Sequence, residues 1–558
     1  MILQTAATQK KDMEYKQQPP NKKEHLHNTN ILCTFVQKNR PNRMKTIQHL
    51  LFASALMIPA MPISAKTAKS NKNKDTRPNV ILIVADDLGY GDLSCYGATE
   101  VRTPNVDRLA KNGIRFLNSH AAAATSTPSR YALLTGHYAW RRQDTRIADG
   151  NAKMIIRPEQ YTMADMFKSA GYTTAAIGKW HLGLGDKTAE QDWNAPLPCG
   201  LQDIGFDYHY IMAATGDRVP CVFIENGFVA NYDPTEPIEV SYIRNFPGEP
   251  TGRSNPEMLF NLKPSPNHGH DQSIVNGISR IGFMKGGGKA LWKDENIADS
   301  ITSHALDFIK TNQNEPFFMY LCTNDIHVPR FPHQRFRGKT SMGHRGDAIV
   351  QFDWTVGEVM KMLKKLKLED NTIVILTSDN GPVVDDGYAD RAVELLGEHK
   401  PAGELRGGKY SSFEGGTRVP FIVSWPKNIK GGEESEALVA QSDLFASLAQ
   451  LLEARLPKGA CPDSRNHWDA FIGKDADGCE YVIEQNLWNG LSIRTMEWKY
   501  IEPSNGVAHM KLTDIETGNL PEDQLYDMKQ GGERKNMAKE HSYMVEKLKG
   551  LLKAEREK

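Results

Sequence analysis

Five short, largely apolar runs do most to limit how this chain can fold: residues 80–84 (Val-Ile-Leu-Ile-Val), 173–177, 316–321, 372–376 and 419–424. A strand with one face in water alternates apolar and polar residues, whereas a continuously apolar strand is covered on both faces. Stretches with helical periodicity lie between the runs, at 163–169, 298–309 and 356–366. Thr103-Pro104 supplies a cap and first turn for another helix through Leu109. This alternation predicts an α/β fold whose mostly parallel sheet is sandwiched by helices.

In open α/β sheets, sites collect beyond the carboxyl ends of the strands. Asp86-Asp87 follow the first run, Lys179 and His181 the second, Asn324, Asp325 and His327 the third, and Asp379-Asn380 the fourth. Four strands thus bring carboxylates, an ammonium and imidazoles to one rim. Asp86, Asp87, Asp379 and Asn380 form an all-oxygen set, which suits a hard divalent cation, Ca2+ above all; no Cys or His cluster competes for Zn2+. An adjacent acidic pair is ordinarily a turn, but here both pairs end apolar strands. His181 and His327 are the candidates for moving protons, because imidazole titrates near neutrality.

A run of small residues, 121–124, leads into Thr125-Ser126-Thr127-Pro128. Pro128 fits the first turn of a helix running through Tyr131, Leu133 and Leu134 and stopping near Gly136. Ser126 then sits at a helix N-terminus, where free N–H groups and the dipole favour an anion. A plain N-cap serine is the alternative for such a stretch taken alone.

At 558 residues the chain can bury a large core and hold more than one domain. Basic and acidic residues number 68 each, so no global field points to nucleic acid or an anionic membrane, and any anion site is local. Residues 1–43 are a polar leader with little to pack, and Met44 reads as a fresh start. Lys45 gives a positive region, residues 50–61 an apolar run of about a dozen residues, too short to span a bilayer, and Ile63-Ser64-Ala65 small residues for cleavage. The expectation is a secretory signal at 44–65, a periplasmic or secreted protein, and no membrane span; a cytoplasmic extension followed by a buried helix is the alternative. Cys33 lies in the leader. Cys95, Cys199, Cys221, Cys322, Cys461 and Cys479 show no metal spacing. Export permits disulfides, with Cys199–Cys221 and Cys461–Cys479 as candidate pairs and buried free thiols as the alternative.

Residues 66–77 read as a linker and 78–478 as the catalytic domain. Within it, 186–297 is a loop-like insertion rich in Pro, Gly, Asn and Asp, of the kind that walls a pocket. Residues 443–452 read as an amphipathic helix. Segments 481–484, 491–494 and 498–502 alternate like half-exposed antiparallel strands, and 537–556 reads as a charged helix. Residues 479–558 are therefore expected to form a smaller C-terminal α+β domain with an antiparallel sheet.

Ser126-Thr127-Pro128-Ser129-Arg130 with Leu133-Leu134-Thr135-Gly136 resembles the maturation signature of type I sulfatases, the arylsulfatase-like family of the alkaline phosphatase superfamily. The resemblance spans roughly residues 78–425. It includes Val84-Ala85-Asp86-Asp87-Leu88-Gly89-Tyr90, Gly178-Lys179-Trp180-His181-Leu182-Gly183 and Asp325-Ile326-His327-Val328-Pro329. It continues through Thr377-Ser378-Asp379-Asn380-Gly381 and Leu405-Arg406-Gly407-Gly408-Lys409 before Phe413-Glu414-Gly415-Gly416. The resemblance implies an alkaline-phosphatase-like α/β fold and an enzyme that hydrolyses sulfate esters of carbohydrates. Ser126 would be oxidised to formylglycine; because it is Ser and not Cys, the partner is an anaerobic sulfatase-maturating enzyme. Ca2+ would lie among Asp86, Asp87, Ser126, Asp379 and Asn380. Arg130 and His181 would steady the formylglycine, Lys179 and Lys409 hold the sulfate, and His327 protonate the leaving sugar oxygen. A phosphodiesterase or phosphonate hydrolase of the same superfamily and a glycan-binding pseudoenzyme are the alternatives. Sugar recognition would fall to the 186–297 insertion and aromatics such as Trp488; His268 and His270 are less defined. Asp217-Arg218 is similar to an acid–guanidinium pair with which galactose- and N-acetylgalactosamine-6-sulfatases read the axial 4-hydroxyl, a loop salt bridge being the alternative. A 6-O-sulfated galacto-configured oligosaccharide is the expected substrate.

Overall fold

Asn79–Ala85 (β1), with its apolar residues wholly buried, lies inside a ten-stranded sheet. The computed structural model describes residues 77–186 and 191–558. The leader, the signal segment and all but the last linker residue lie outside them. The other strands of this sheet are Ile114–Phe116 (β2), Thr173–Lys179 (β3), Tyr208–Met212 (β4), Phe223–Glu225 (β5) and Phe228–Val229 (β6). Phe317–Cys322 (β7), Thr372–Ser378 (β8), Phe421–Ser424 (β9) and Glu433–Ser435 (β10) complete it. The order is β10-β2-β9-β8-β1-β7-β3-β4-β5-β6. The five strands β8, β1, β7, β3 and β4 are parallel neighbours, so their carboxyl ends share one rim.

Helices flank the sheet in two packed groups. Pro104–Lys111 (α1), Ile297–Thr311 (α4) and Gly343–Lys365 (α5) form one; Asp353 of α5 accepts from the Asn105 and Val106 N–H groups at the start of α1, both at 2.9 Å. Ser126–Thr135 (α2), Met163–Ser169 (α3) and Leu444–Leu451 (α6) form the other. Among the described residues no helix is long and apolar enough to cross a membrane.

Two features differ from the sequence reading. The 419–424 run lies antiparallel to β8, because the chain already stands at the carboxyl rim when it enters that strand. The 186–297 insertion is not only loop: β4, β5 and β6 extend the main sheet. The cysteines offered as pairs are unpaired, and all six described cysteines are free thiols. Cys479 instead donates to Asp443 at 3.1 Å.

A second sheet, Val482–Gln485 (β11), Leu491–Arg494 (β12), Trp498–Ile501 (β13) and Gln524–Asp527 (β14), is antiparallel throughout. Val545, Leu548 and Leu552 of Ser542–Glu557 (α7) pack on Ile483, Ile493 and Tyr500, in a cluster that also takes in Ala132 of α2. This sheet therefore leans on the helix that carries Ser126.

Buried polar groups tie the same sheet to the Glu414 turn. Lys499 Nζ lies 2.9 Å from Glu484, 3.2 Å from Glu414 and 3.4 Å from Glu533. Arg418 and Arg494 also face Glu414, at 3.3 and 3.4 Å, so Glu533, whose Oε1 is buried without a hydrogen-bond partner, has only a share of Lys499. Burial pushes Glu533 up to about 8 despite the adjacent Lys499. The folded protein then keeps a proton that the unfolded chain releases near 4.5, so this group's stabilisation is complete below 4.5 and is lost as pH rises toward about 8. The thermal midpoint is expected to fall across that window, and Glu533→Gln, neutral at every pH, to flatten the fall. An unchanged pH profile in Glu533→Gln would show that Glu533 is already ionised in the fold.

Candidate active site

Parallel strands deliver the reactive groups to the rim. Asp86 and Asp87 leave β1, Lys179 ends β3, Asp217 and Arg218 follow β4, His327 follows β7, and Asp379 and Asn380 follow β8. Gly178 is required by this crowding: its φ is +98°, and a Cβ there would sit 1.8 Å from the Cys322 carbonyl of β7. Ser126 arrives differently. The small residues before it pair with the second sheet: Gln485 N–H donates to Ala122 O at 3.0 Å, and Ala124 N–H to Gln485 O at 2.8 Å. Ser126 then opens α2, with Thr125 as N-cap and Gly136 as left-handed C-cap.

Lys179 Nζ donates to Asp86 at 2.6 Å and to Ser126 Oγ at 2.8 Å, and lies 3.5 Å from Asp379. Ser126 Oγ is 3.4 Å from Asn380 Oδ1. Arg130, fully buried, holds Asp379 at 2.8 Å. Asn380 Nδ2 donates to Asp87 at 2.7 Å, and Lys409 Nζ donates to Asp87 at 2.8 Å. His327 Nδ1 donates to the Val328 carbonyl at 2.6 Å, which leaves Nε2 facing Asp87 at 3.9 Å. All ten residues placed on this cluster by the sequence, from Asp86 to Lys409, meet in it.

The electrostatics separate like groups. Burial pushes Asp86 up, with Lys179 only partly opposing it. Burial acts the same way on Asp379, but Arg130 and Lys179 outweigh it and hold that carboxyl well below its usual range. Burial, aided by Lys179, holds His181 far below the usual imidazole value. Neutral His181 donates Nε2–H to Ala148 O at 2.9 Å, so its unpartnered Nδ1 is an acceptor and not an acid. Asp87, His181 and Tyr410 all take left-handed φ, at 56°, 59° and 81°, a conformation L-residues keep only where the surroundings enforce it.

The donor set fits a divalent cation. Asp86, Asp87 and His327 offer ligand atoms within 4.8 Å of one another. Asp86 Oδ2 is buried without a hydrogen-bond partner, and Asp379 and Asn380 add hard oxygens.

A cavity of about 70 Å³ opens onto Ser126, His181, His327 and Lys409. Asp217, Arg218, His270 and Ile281 wall it from the insertion. Arg218 chelates Asp217 at 3.0 Å, and His270 Nε2 reaches Asp217 at 3.2 Å. Asp386 and Tyr410 also line it. Burial would raise Asp386, but Lys409 holds it at about 2. Sequence reasoning missed Asp386 and Tyr410: both lie in loops without a strand to announce them. Trp488 is exposed and outside this lining, and Asp325 turns away to Gln351 at 2.8 Å.

The comparisons with known proteins agree with this geometry. The family model for Sulfatase matches residues 78–454. An N-acetylgalactosamine-6-O-sulfatase of Bacteroides thetaiotaomicron is 54% identical over 490 residues, 88% of this chain and 95% of that protein. Human steryl-sulfatase is 30% identical over 420 residues, covering 72% of this chain and 70% of its own. A solved Bacteroides thetaiotaomicron structure, from work on the metabolism of multiple glycosaminoglycans, aligns with TM-score 0.85 at 53% identity over 87% of this chain and 100% of that one. The parallel sheet with its carboxylate-and-lysine rim thus defines an enzyme of the alkaline phosphatase superfamily. Within it, the chain belongs to the type I sulfatases and is a sulfuric ester hydrolase.

Proposed function

We propose that this chain is an exported, Ca2+-dependent sulfatase that removes 6-O-sulfate from galactose or N-acetylgalactosamine residues of sulfated glycans. Its nucleophile would be formylglycine, made from Ser126 by an anaerobic maturating enzyme. The observation that carries the reading is the surroundings of Ser126 Oγ: 2.8 Å from Lys179 Nζ, 3.4 Å from Asn380, and facing a cavity that Lys409 and His327 share.

Hydrated formylglycine supplies a stronger nucleophile than an alcohol, and Ca2+ held by Asp86, Asp87, Asp379 and Asn380 would supply charge to acidify it and polarise sulfate. The remaining work falls to side chains of this chain. Lys179 and Lys409 donate to sulfate oxygens where charge builds. His181 Nδ1 accepts from a hydroxyl at position 126, which Arg130 supports indirectly by fixing Asp379. His327, with Nδ1 committed to Val328, hands a proton from Nε2 to the leaving sugar oxygen.

His327→Ala is therefore expected to cost a sulfated sugar about 10²–10⁴ in kcat and nitrophenyl sulfate only a few-fold, because nitrophenolate leaves without a proton. Equal losses on both substrates remove His327 from the acid role.

The sugar preference rests on the Asp217–Arg218 pair and on the 54% identical N-acetylgalactosamine-6-O-sulfatase. Asp217 accepts and Arg218 donates, so together they read the orientation of one hydroxyl. An epimer that cannot make these charge-assisted hydrogen bonds loses roughly 2–3 kcal/mol, about a hundredfold in kcat/KM. Release is compared from 6-sulfated galactose, 6-sulfated glucosamine and 3-sulfated galactose derivatives, with matched phosphate esters alongside. Preference for 6-sulfated glucosamine or 3-sulfated galactose rejects the sugar assignment; preference for the phosphate rejects the sulfate one.

A further inference from the structure

Asp386 belongs to no motif, yet it is bonded to the lysine that faces the cavity. Its Oδ2 accepts from Lys409 Nζ at 2.8 Å and its Oδ1 from Tyr410 OH at 2.9 Å. Lys409 Nζ also donates to Asp87 at 2.8 Å. An ammonium has three donors. Two are committed to carboxylates on separate segments, which leaves one for the cavity and restricts a long, flexible side chain to one arrangement.

Tyr410 is the second half of the device. Its φ of +81° is unfavourable for a bulky L-residue. Backbone bonds enforce it from two sides: Tyr410 N–H donates to Ala124 O at 2.8 Å, and Leu487 N–H donates to Tyr410 O at 3.2 Å. The segment before Ser126 and the β11–β12 loop thus both fix the residue that anchors Asp386. Strain kept in this way beside a reacting group is a mark of function.

We propose that Asp386 and Tyr410 are positioning residues that aim the Lys409 ammonium at the sulfate group. The inference rests on the reading of Lys409 as a sulfate ligand. It has a rival: an acid in an anion pocket acting only as a charge. Electrostatic repulsion from such a charge would weaken sulfate binding, so its removal would tighten it. A positioning carboxylate gives the opposite sign.

The test uses the matured full chain and Asp386→Asn, with Tyr410→Phe as a milder variant that keeps the ring and backbone. Turnover of nitrophenyl sulfate and of a 6-sulfated galactoside, inhibition by inorganic sulfate and the thermal midpoint are measured for each. For Asp386→Asn, kcat is expected to fall on the order of a hundredfold. The loss should be equal on both substrates, because Lys409 acts on sulfate and not on the leaving group, and inorganic sulfate should bind no tighter. Tyr410→Phe is expected to lose about tenfold in the same pattern, one hydrogen bond being removed. The thermal midpoints should stay near wild type. Wild-type kcat in both variants, or tighter sulfate with kcat retained, overturns the positioning role while the sulfatase reading stands. Absence of turnover of any sulfate ester by the matured wild type overturns both.

Discussion

Ser126→Ala is expected to drop sulfate release to background, a loss of about a millionfold by comparison with other nucleophile deletions, while the fold survives. Ser126 Oγ contributes one hydrogen bond from Lys179 at 2.8 Å and a longer one to Asn380 at 3.4 Å. Lys179 keeps its bond to Asp86 at 2.6 Å, so no ammonium is stranded. The stability cost is about 1 kcal/mol. Turnover, thermal midpoint and sulfated-glycan binding are measured together. The mass of the peptide carrying residue 126 in the wild type shows whether the aldehyde is present. Turnover near wild type in Ser126→Ala would mean that another group attacks sulfur.

Removal of the divalent cation is expected to be equally severe. A chelator should abolish turnover and added Ca2+ restore it. Asp379→Asn should lower calorimetric Ca2+ affinity and activity together, because one charged oxygen ligand is lost. Asp379→Ala is the poorer probe: Arg130 is completely buried and its 2.8 Å partner would vanish, leaving Asp86 at 4.0 Å, at a cost of about 3–5 kcal/mol. Arg130 and Lys179 outweigh burial and hold the Asp379 carboxyl well below its usual 3.8. Its stabilisation is therefore complete above 3.8 and fades only as pH falls through the lower folded value, so the thermal midpoints of wild type and Asp379→Asn should approach each other only in strong acid. Full activity after exhaustive chelation would reject the cation.

Much of the scaffold was legible because buried strands leave a strong mark. Residues 80–84 and 373–376 have no polar position because both faces are covered, and the first carboxylates after each, Asp86 and Asp379, emerge at the rim. The direction of 421–424 was not legible, since an apolar run reads the same in a parallel or an antiparallel strand. Nor were the hairpin strands β5 and β6, two or three residues long and flanked by turn residues.

The amino-acid sequence by itself determined the layered fold, the family and the identities of the groups that bear charge beside Ser126, because each is written in local pattern: apolar runs, glycines at crowded turns, and polar residues at strand ends. Tertiary structure alone decided which groups meet and in what state. Asp87 and Lys409 lie 322 residues apart yet share a hydrogen bond, and Asp386 and Tyr410 enter the cavity from loops that no strand announces. The protonation states follow the same rule. Asp86 and Asp379 are both aspartates at strand ends, but Arg130 lies 4.0 Å from the first and 2.8 Å from the second, the Asp87 N–H donates to Asp379, and burial and the neighbouring carboxylates push Asp86 up, so their carboxyls are driven apart by distance and burial and not by residue type.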